Sequence, residues 1–155
     1  MSQPLVCDTS GLLAALDRSD PDHDACAAVV GTHRGPLVLS PLVLAELDHL
    51  IRSRLGVQAA RDFADDVVRG AYDLASLTAL DVSRCLDIDR RYADLGLGLA
   101  DASLVVLAQR FQTRQILTLD ERHLRAVRPL QAGAFRLLPA DRDLKPPRRR
   151  RPTAL

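Results

Sequence analysis

The chain is almost devoid of lysine. Lys145 is the only one in 155 residues, and arginine supplies the other positive charges. A phosphate-binding P-loop needs a lysine in GxxxxGKS/T, and no such run occurs. Tryptophan is absent, and the aromatics reduce to Tyr72, Tyr92, Phe63, Phe111 and Phe135. That argues against a sheet that stacks RNA bases on aromatic rings. The cysteines, Cys7, Cys26 and Cys85, are odd in number, lack zinc-type spacing and read as reduced intracellular thiols. His23, His33, His49 and His123 make no HxxxH pair. No apolar run approaches the ~20 residues of a membrane span. Pro4 and Asp8 interrupt the stretch where a signal peptide would be apolar, so a soluble, cytoplasmic protein with no membrane association is expected.

What remains is an apolar content of 47% in a length that suits one domain. The net charge of +1 conceals an imbalance: Lys145 and Arg148 to Arg151 place five positive charges in residues 144–155, leaving the body at −4. The stretch KPPRRRRPTAL has no hydrophobic pattern. Residues 1–139 are therefore expected to fold and residues 140–155 to form a basic, disordered tail.

Short apolar runs at 4–8, 36–40, 72–75, 115–120 and 134–139 predict strands. Helical patterns fill the intervals. One has Asp20 as cap, Pro21 in its first turn and its end at Gly31; another is capped by Ser40, with Pro41 next and Gly56 as the stop. LADASLVVLAQRF is apolar nearly all round and predicts a buried helix. Strands alternating with helices imply an α/β fold, a mainly parallel sheet covered on both faces. In such folds ligands bind beyond the carboxyl ends of the strands.

Two strands end there on an acid. Leu5-Val6-Cys7 stops on Asp8, and ILTL stops on Asp120. Each acid reads equally as a helix cap. Glu46 lies three residues after Val43 and four before Leu50, on or beside the apolar stripe Val43, Leu47, Leu50, whereas Asp48 points to solvent. A stripe-edge Glu paired with an arginine is the alternative. Asp101 opens a helix whose Leu104, Val105 and Ala108 share its face; the alternative is an acid held by the helix dipole. Four acids at the borders of buried elements, with no lysine near them, repel one another unless a cation intervenes. Hard oxygen donors suit Mg²⁺, or Mn²⁺, and a phosphate ester as substrate. A receiver domain also has acidic strand ends, but its lysine has no counterpart here. The DxDxT/V signature of haloacid-dehalogenase phosphatases fails because Ser10, not a second Asp, follows Asp8 by two.

The segments VCDTSGLLA (6–14), SPLVLAEL (40–47), LGLADASLVVLA (97–108) and ILTLDERHL (116–124) together resemble the PIN domain, and within it the VapC ribonuclease toxins of toxin–antitoxin pairs. The resemblance covers about residues 4–139 and implies a PIN-like three-layer α/β fold. It implies catalytic roles for Asp8, Glu46, Asp101 and Asp120. Asp8, Asp101 and Asp120 would hold one or two Mg²⁺ ions (or Mn²⁺), and Glu46 would orient the attacking water. Ser10 and Thr9 match the small hydroxyl region after the first acid, and Asp94 resembles an extra acid of some members. Arg122 and His123 follow Asp120 closely enough to touch RNA phosphate. Arg148 and Arg149 are further RNA-contact candidates from the tail's charge, outside the family pattern. The resemblance also implies a homodimer and a VapB-type antitoxin as partner, with tRNA or 23S rRNA as target and a lean toward ribosomal RNA. Two alternatives stay open: a PIN nuclease of RNA processing without an antitoxin, and a non-catalytic RNA- or protein-binding module.

Overall fold

The computed structural model describes residues 2–145. Five strands form one sheet: β1 (Leu5–Cys7), β2 (Leu37–Leu39), β3 (Asp73–Leu74), β4 (Gln115–Leu117) and β5 (Arg136–Leu138). Their spatial order is β3-β2-β1-β4-β5, and all pairings are parallel. Seven helices connect them: α1 (Thr9–Leu16), α2 (His23–Thr32), α3 (Pro41–Arg54), α4 (Val57–Val68), α5 (Ala79–Arg91), α6 (Gly98–Arg110) and α7 (Glu121–Ala126). From central β1 the chain moves to β2 and β3 on one side and later returns to β4 on the other. With right-handed crossovers these two directions place helices on opposite faces, giving three layers. The reversal at the β1–β4 boundary is a topological switch point, where a parallel sheet opens a crevice at its carboxyl edge.

The centre is sealed by strands with no exposed side. Leu5, Val6, Cys7, Leu39, Ile116 and Leu117 are wholly buried, as parallel strands covered on both faces must be. Buried α6 contributes Leu104, Leu107 and Ala108 to the same core. Gly11 lets α1 lie close on β4: a Cβ there would stand 2.6 Å from Leu117 Cγ and 3.1 Å from its carbonyl carbon. A side chain at 11 would push away the turn that carries Asp8.

The strands are shorter than their apolar runs, because pairing stops where the chain turns to cap the next helix. α2 begins at His23, not at the first turn after Asp20. The Asp20 side chain accepts from the Asp22 N–H at 2.8 Å and stabilises a turn through Pro21, and the helix continues past Gly31 to Thr32. The buried face of α3 is Val43, Leu47 and Ile51, with Leu50 at its edge, and Asp48 is paired with Arg52 at 2.7 Å.

After β5 the chain doubles back and stays folded beyond 139. Asp141 is 5% exposed. Its carboxylate accepts from the Leu137 N–H at 2.8 Å and from both terminal nitrogens of Arg125, at 2.8 and 3.2 Å. What was expected to be a tail from residue 140 thus starts with an anchored turn, because a carboxylate with this many donors is better off inside. The remainder, 146–155, with Arg148 and Arg149, lies outside the described residues.

Arg125, chiefly through its hydrogen bonds, holds Asp141 below the usual carboxylate range. Asp141→Ala leaves one buried N–H and one half-exposed guanidinium without this acceptor, and should cost about 2 kcal/mol at neutral pH. A depressed acid contributes stability above its unfolded pKa and loses it as pH falls through the lower folded value, so the gap between the two proteins should narrow as pH drops below about 4. Urea unfolding across that range checks this.

Candidate active site

Asp8 follows β1 directly. Its backbone N–H still pairs with Leu117 O at 2.9 Å, which holds it on the rigid edge of the sheet. Its side chain is 6% exposed and fully engaged. Oδ1 accepts from the Thr9 N–H at 2.7 Å. Oδ2 accepts from the Thr118 hydroxyl at 2.7 Å and from the Ser10 hydroxyl at 3.1 Å. Burial raises its pKa, the three hydrogen bonds pull it down, and nearby Asp120 raises it again. Capping and site placement coincide in this residue: it is the N-cap of α1 and sits at the switch point.

Asp120 comes three residues after β4 and caps α7, accepting from the His123 N–H at 3.2 Å. Its other oxygen lies 2.6 Å from His123 Nδ1. A carboxylate only accepts, so Nδ1 carries the hydrogen and donates, leaving Nε2 as the ring's free nitrogen. His123, expected as an RNA contact, is therefore tied to Asp120 and partly buried.

Asp101 sits in the first turn of α6, opposite these two. Atoms of Asp101, Asp120 and His123 lie within 4.8 Å of one another. Asp101's pKa is pushed up to about 7, first by burial, then by Asp8 and Asp120; His123 pulls it the other way, and Glu46 adds a smaller push. Glu46 stands on the second turn of α3, beside the apolar stripe rather than on it, and is exposed. Its pKa is raised by partial desolvation and by Asp8. It forms no ion pair among the described residues, so the arginine-paired alternative does not apply. The four acids therefore feel one another across the crevice.

The remaining candidates are placed as follows. Ser10 bridges two strand ends: its hydroxyl donates to Asp8, accepts from the Leu119 N–H at 3.0 Å and lies 3.3 Å from Thr118 Oγ1. Thr9 serves through its backbone, since its buried hydroxyl has no partner. Asp94 is exposed on a 3-10 turn (Ala93–Leu95). Arg122 is exposed.

Sequence reasoning missed Thr118. Its hydroxyl donates to Asp8 and accepts from the Asp120 N–H at 2.9 Å, joining the two strand-end acids. The available signal was symmetry: Ser10 stands two after the first acid, and Thr118 two before the last. A second unread contact is the buried Ser40–Ser103 hydroxyl pair at 2.8 Å, which ties the start of α3 to that of α6 and so relates Glu46 to Asp101.

Residues 5–129 match the PIN domain family. The chain belongs to that family. This PIN domain is 42% identical over 135 residues to ribonuclease VapC26 of Mycobacterium tuberculosis, covering 87% of this chain and all of the relative. Its fold is also that of Mycobacterium tuberculosis VapC20, described as a Sarcin-Ricin loop cleaving toxin, with a TM-score of 0.71 and 19% identity. The superposition covers 76% of this chain and 90% of VapC20.

The donor set fits a hard divalent cation. Asp101 and Asp120 each bring an oxygen within 4.8 Å of the other and of a His123 nitrogen, Asp8 and Glu46 stand close enough to raise Asp101, and no thiol joins the group to favour a softer metal.

Proposed function

We propose that this PIN domain is a divalent-metal-dependent endoribonuclease of the VapC toxin type. The observation that carries the reading is the gathering of Asp101, Asp120 and His123 within 4.8 Å of one another at the switch point, with Asp8 and Glu46 close enough to raise Asp101. The 42% identity to a protein named as a ribonuclease supports it.

In this reading Asp8, Asp101 and Asp120 hold Mg²⁺, or Mn²⁺. When bound, the cation supplies an acidified water and offsets negative charge at the phosphate. Glu46, exposed and raised in pKa, orients the attacking water and accepts its proton. Thr118 and Ser10 keep Asp8 fixed, and His123 fixes Asp120. The water oxygen bonds to phosphorus as the P–O3′ bond breaks, leaving a 5′-phosphate and a 3′-hydroxyl. Residues 1–139 form the catalytic domain, with the turn through Asp141 fastened to it.

The substrate is tRNA or ribosomal RNA, the latter favoured, and a VapB-type antitoxin neutralises the activity in the cytoplasm. The working form is a homodimer joined through helices of the N-terminal half. No helix among the described residues is long and apolar enough to cross a membrane.

Sequencing of RNA 5′ ends after induced expression tests the reading. A few new 5′-monophosphate ends in tRNA or ribosomal RNA are expected, and co-expression of the antitoxin should remove them. An unchanged set of ends contradicts it.

A further inference from the structure

We propose that a basic cleft at the opposite end of the sheet is a phosphate subsite, which takes a backbone phosphate of the RNA away from the bond that is cut. The identity of the ligand as RNA rests on the nuclease reading; the cleft's preference for phosphate does not.

The cleft has a volume of about 360 Å³ and is lined by His33, Arg34, Gln115, Arg136 and Arg142, among others. That is roughly the share of ten liquid waters, room for a phosphodiester and part of its hydration. Gln115 and Arg136 are the first residues of β4 and β5, and Arg34 precedes β2. Most of the wall therefore lies at the amino ends of the strands, and Leu138, the last residue of β5, closes one side. From Gln115 to Leu117 the strand rises about 7 Å at about 3.3 Å per residue, and Asp120 lies three residues beyond its end. Arg142 joins the wall because the chain doubles back after β5, and its carbonyl accepts from Arg136 Nη2 at 2.9 Å.

Three features point to an anion. No acidic side chain lines the cleft. Arg34, Arg136 and Arg142 form no ion pair among the described residues, and Asp141, the acid whose field reaches Arg136, is already held by both terminal nitrogens of Arg125. Arg136 Nε is shut off from water and has no acceptor, a donor deficit that a small shift toward a bound oxyanion would relieve. Three arginines lining one cleft without a counter-charge suit the multi-oxygen face of a phosphate.

The location also meets a need of the reaction. The body carries −4 outside residues 144–155, and Asp8, Glu46, Asp101 and Asp120 stand together at the cutting edge. RNA approaching that edge is repelled at long range until cations intervene. A phosphate held at the far end anchors the strand and lets the acidic edge meet one phosphodiester.

The test uses the full chain carrying Asp101→Asn, so that RNA is bound and not cut. Affinity for a single-stranded RNA is measured against salt, with Arg136→Gln/Arg142→Gln and, separately, Arg34→Gln, a change at an exposed position that leaves the core untouched. Each lost phosphate contact should flatten the slope of log K against log salt by about 0.7. The double variant should therefore lose about 0.7–1.4, and Arg34→Gln up to about 0.7. In parallel, inorganic phosphate is titrated while the Arg136 Nε–H NMR signal is followed, and that signal should shift saturably. Normal RNA binding with unchanged slopes in all variants overturns this subsite and leaves the nuclease reading standing. No RNA binding by the parent at any salt overturns the nuclease reading and the RNA assignment together, and the phosphate titration then decides the cleft's anion preference. A flat titration overturns that preference.

Discussion

Asp101→Asn should abolish RNA cleavage and at the same time make the metal-free protein more stable at neutral pH. Asp101 is raised from 3.8 to about 7, chiefly by burial and then by Asp8 and Asp120. Below about pH 4 it is protonated in both folded and unfolded chains, and its environment costs nothing. Between about pH 4 and 7 the unfolded chain releases the proton and the native state keeps it. Native stability therefore falls as pH rises across that window, and the full loss is felt above it. One pKa unit corresponds to about 1.4 kcal/mol. Asp101 is partly open to solvent, which screens the repulsion, so the recoverable part is about 1–2 kcal/mol. For a chain of this size that raises Tm by roughly 3–6 °C. Thermal unfolding in EDTA should show the variant ahead at pH 8 and level with the parent near pH 4. Mg²⁺ should stabilise the parent and leave the variant nearly unmoved, since only a binding-competent native state gains by mass action. Cleavage should fall at least about 1000-fold, equivalent to about 4 kcal/mol of transition-state stabilisation. An Asp101→Asn protein that is less stable at pH 8 than its parent contradicts the electrostatic account of the site.

Thr118→Val should do the reverse and destabilise the fold. Valine keeps the shape and removes the hydroxyl that donates to buried Asp8 and accepts from the Asp120 N–H. One of these bonds goes to a charged group, worth about 1.5–3 kcal/mol, and the other is an ordinary bond worth about 1. The expected loss is about 2–4 kcal/mol at neutral pH, readable by urea unfolding. Thr118→Ser should recover most of it. The Thr118 hydrogen bond lowers the pKa of Asp8, so its removal raises that pKa further and the deficit should shrink in acid. A Thr118→Val protein as stable as the parent means that Asp8 is held by Thr9 and Ser10 alone.

These two residues also show where the sequence was legible. Asp101 stood out because an acid opened a helix whose every following turn was apolar, and a charge in that position needs an explanation. Asp8 and Asp120 stood out because each ended an apolar strand. The alternating elements led to the parallel sheet, and the sheet explains why the two acids share an edge. Thr118 was invisible: a threonine within a strand reads as a β-branched strand former, and only the neighbouring strand reveals what its hydroxyl touches. Glu46 could be placed only on or beside the apolar stripe, because helical spacing sets a direction but not the edge of the packed face; its neighbour Leu47 is wholly buried while Glu46 is exposed. Asp141 was lost in a polar stretch that looks like loop, since its partner Arg125 lies 16 residues away. His123 was expected only as an RNA contact, because Asp120 reads in the sequence as a cap and ligand and not as the partner of a ring three residues on.

The most direct test of the site is metal withdrawal and return on the purified protein. The rate of cleavage of a defined RNA is measured as isolated, after EDTA, and after addition of Mg²⁺, Mn²⁺ or Zn²⁺. The carboxylate site predicts loss of cleavage in EDTA, recovery with Mg²⁺ or Mn²⁺, and products ending in a 5′-phosphate and a 3′-hydroxyl. Undiminished cleavage in excess EDTA, or products ending in a 2′,3′-cyclic phosphate, would contradict it.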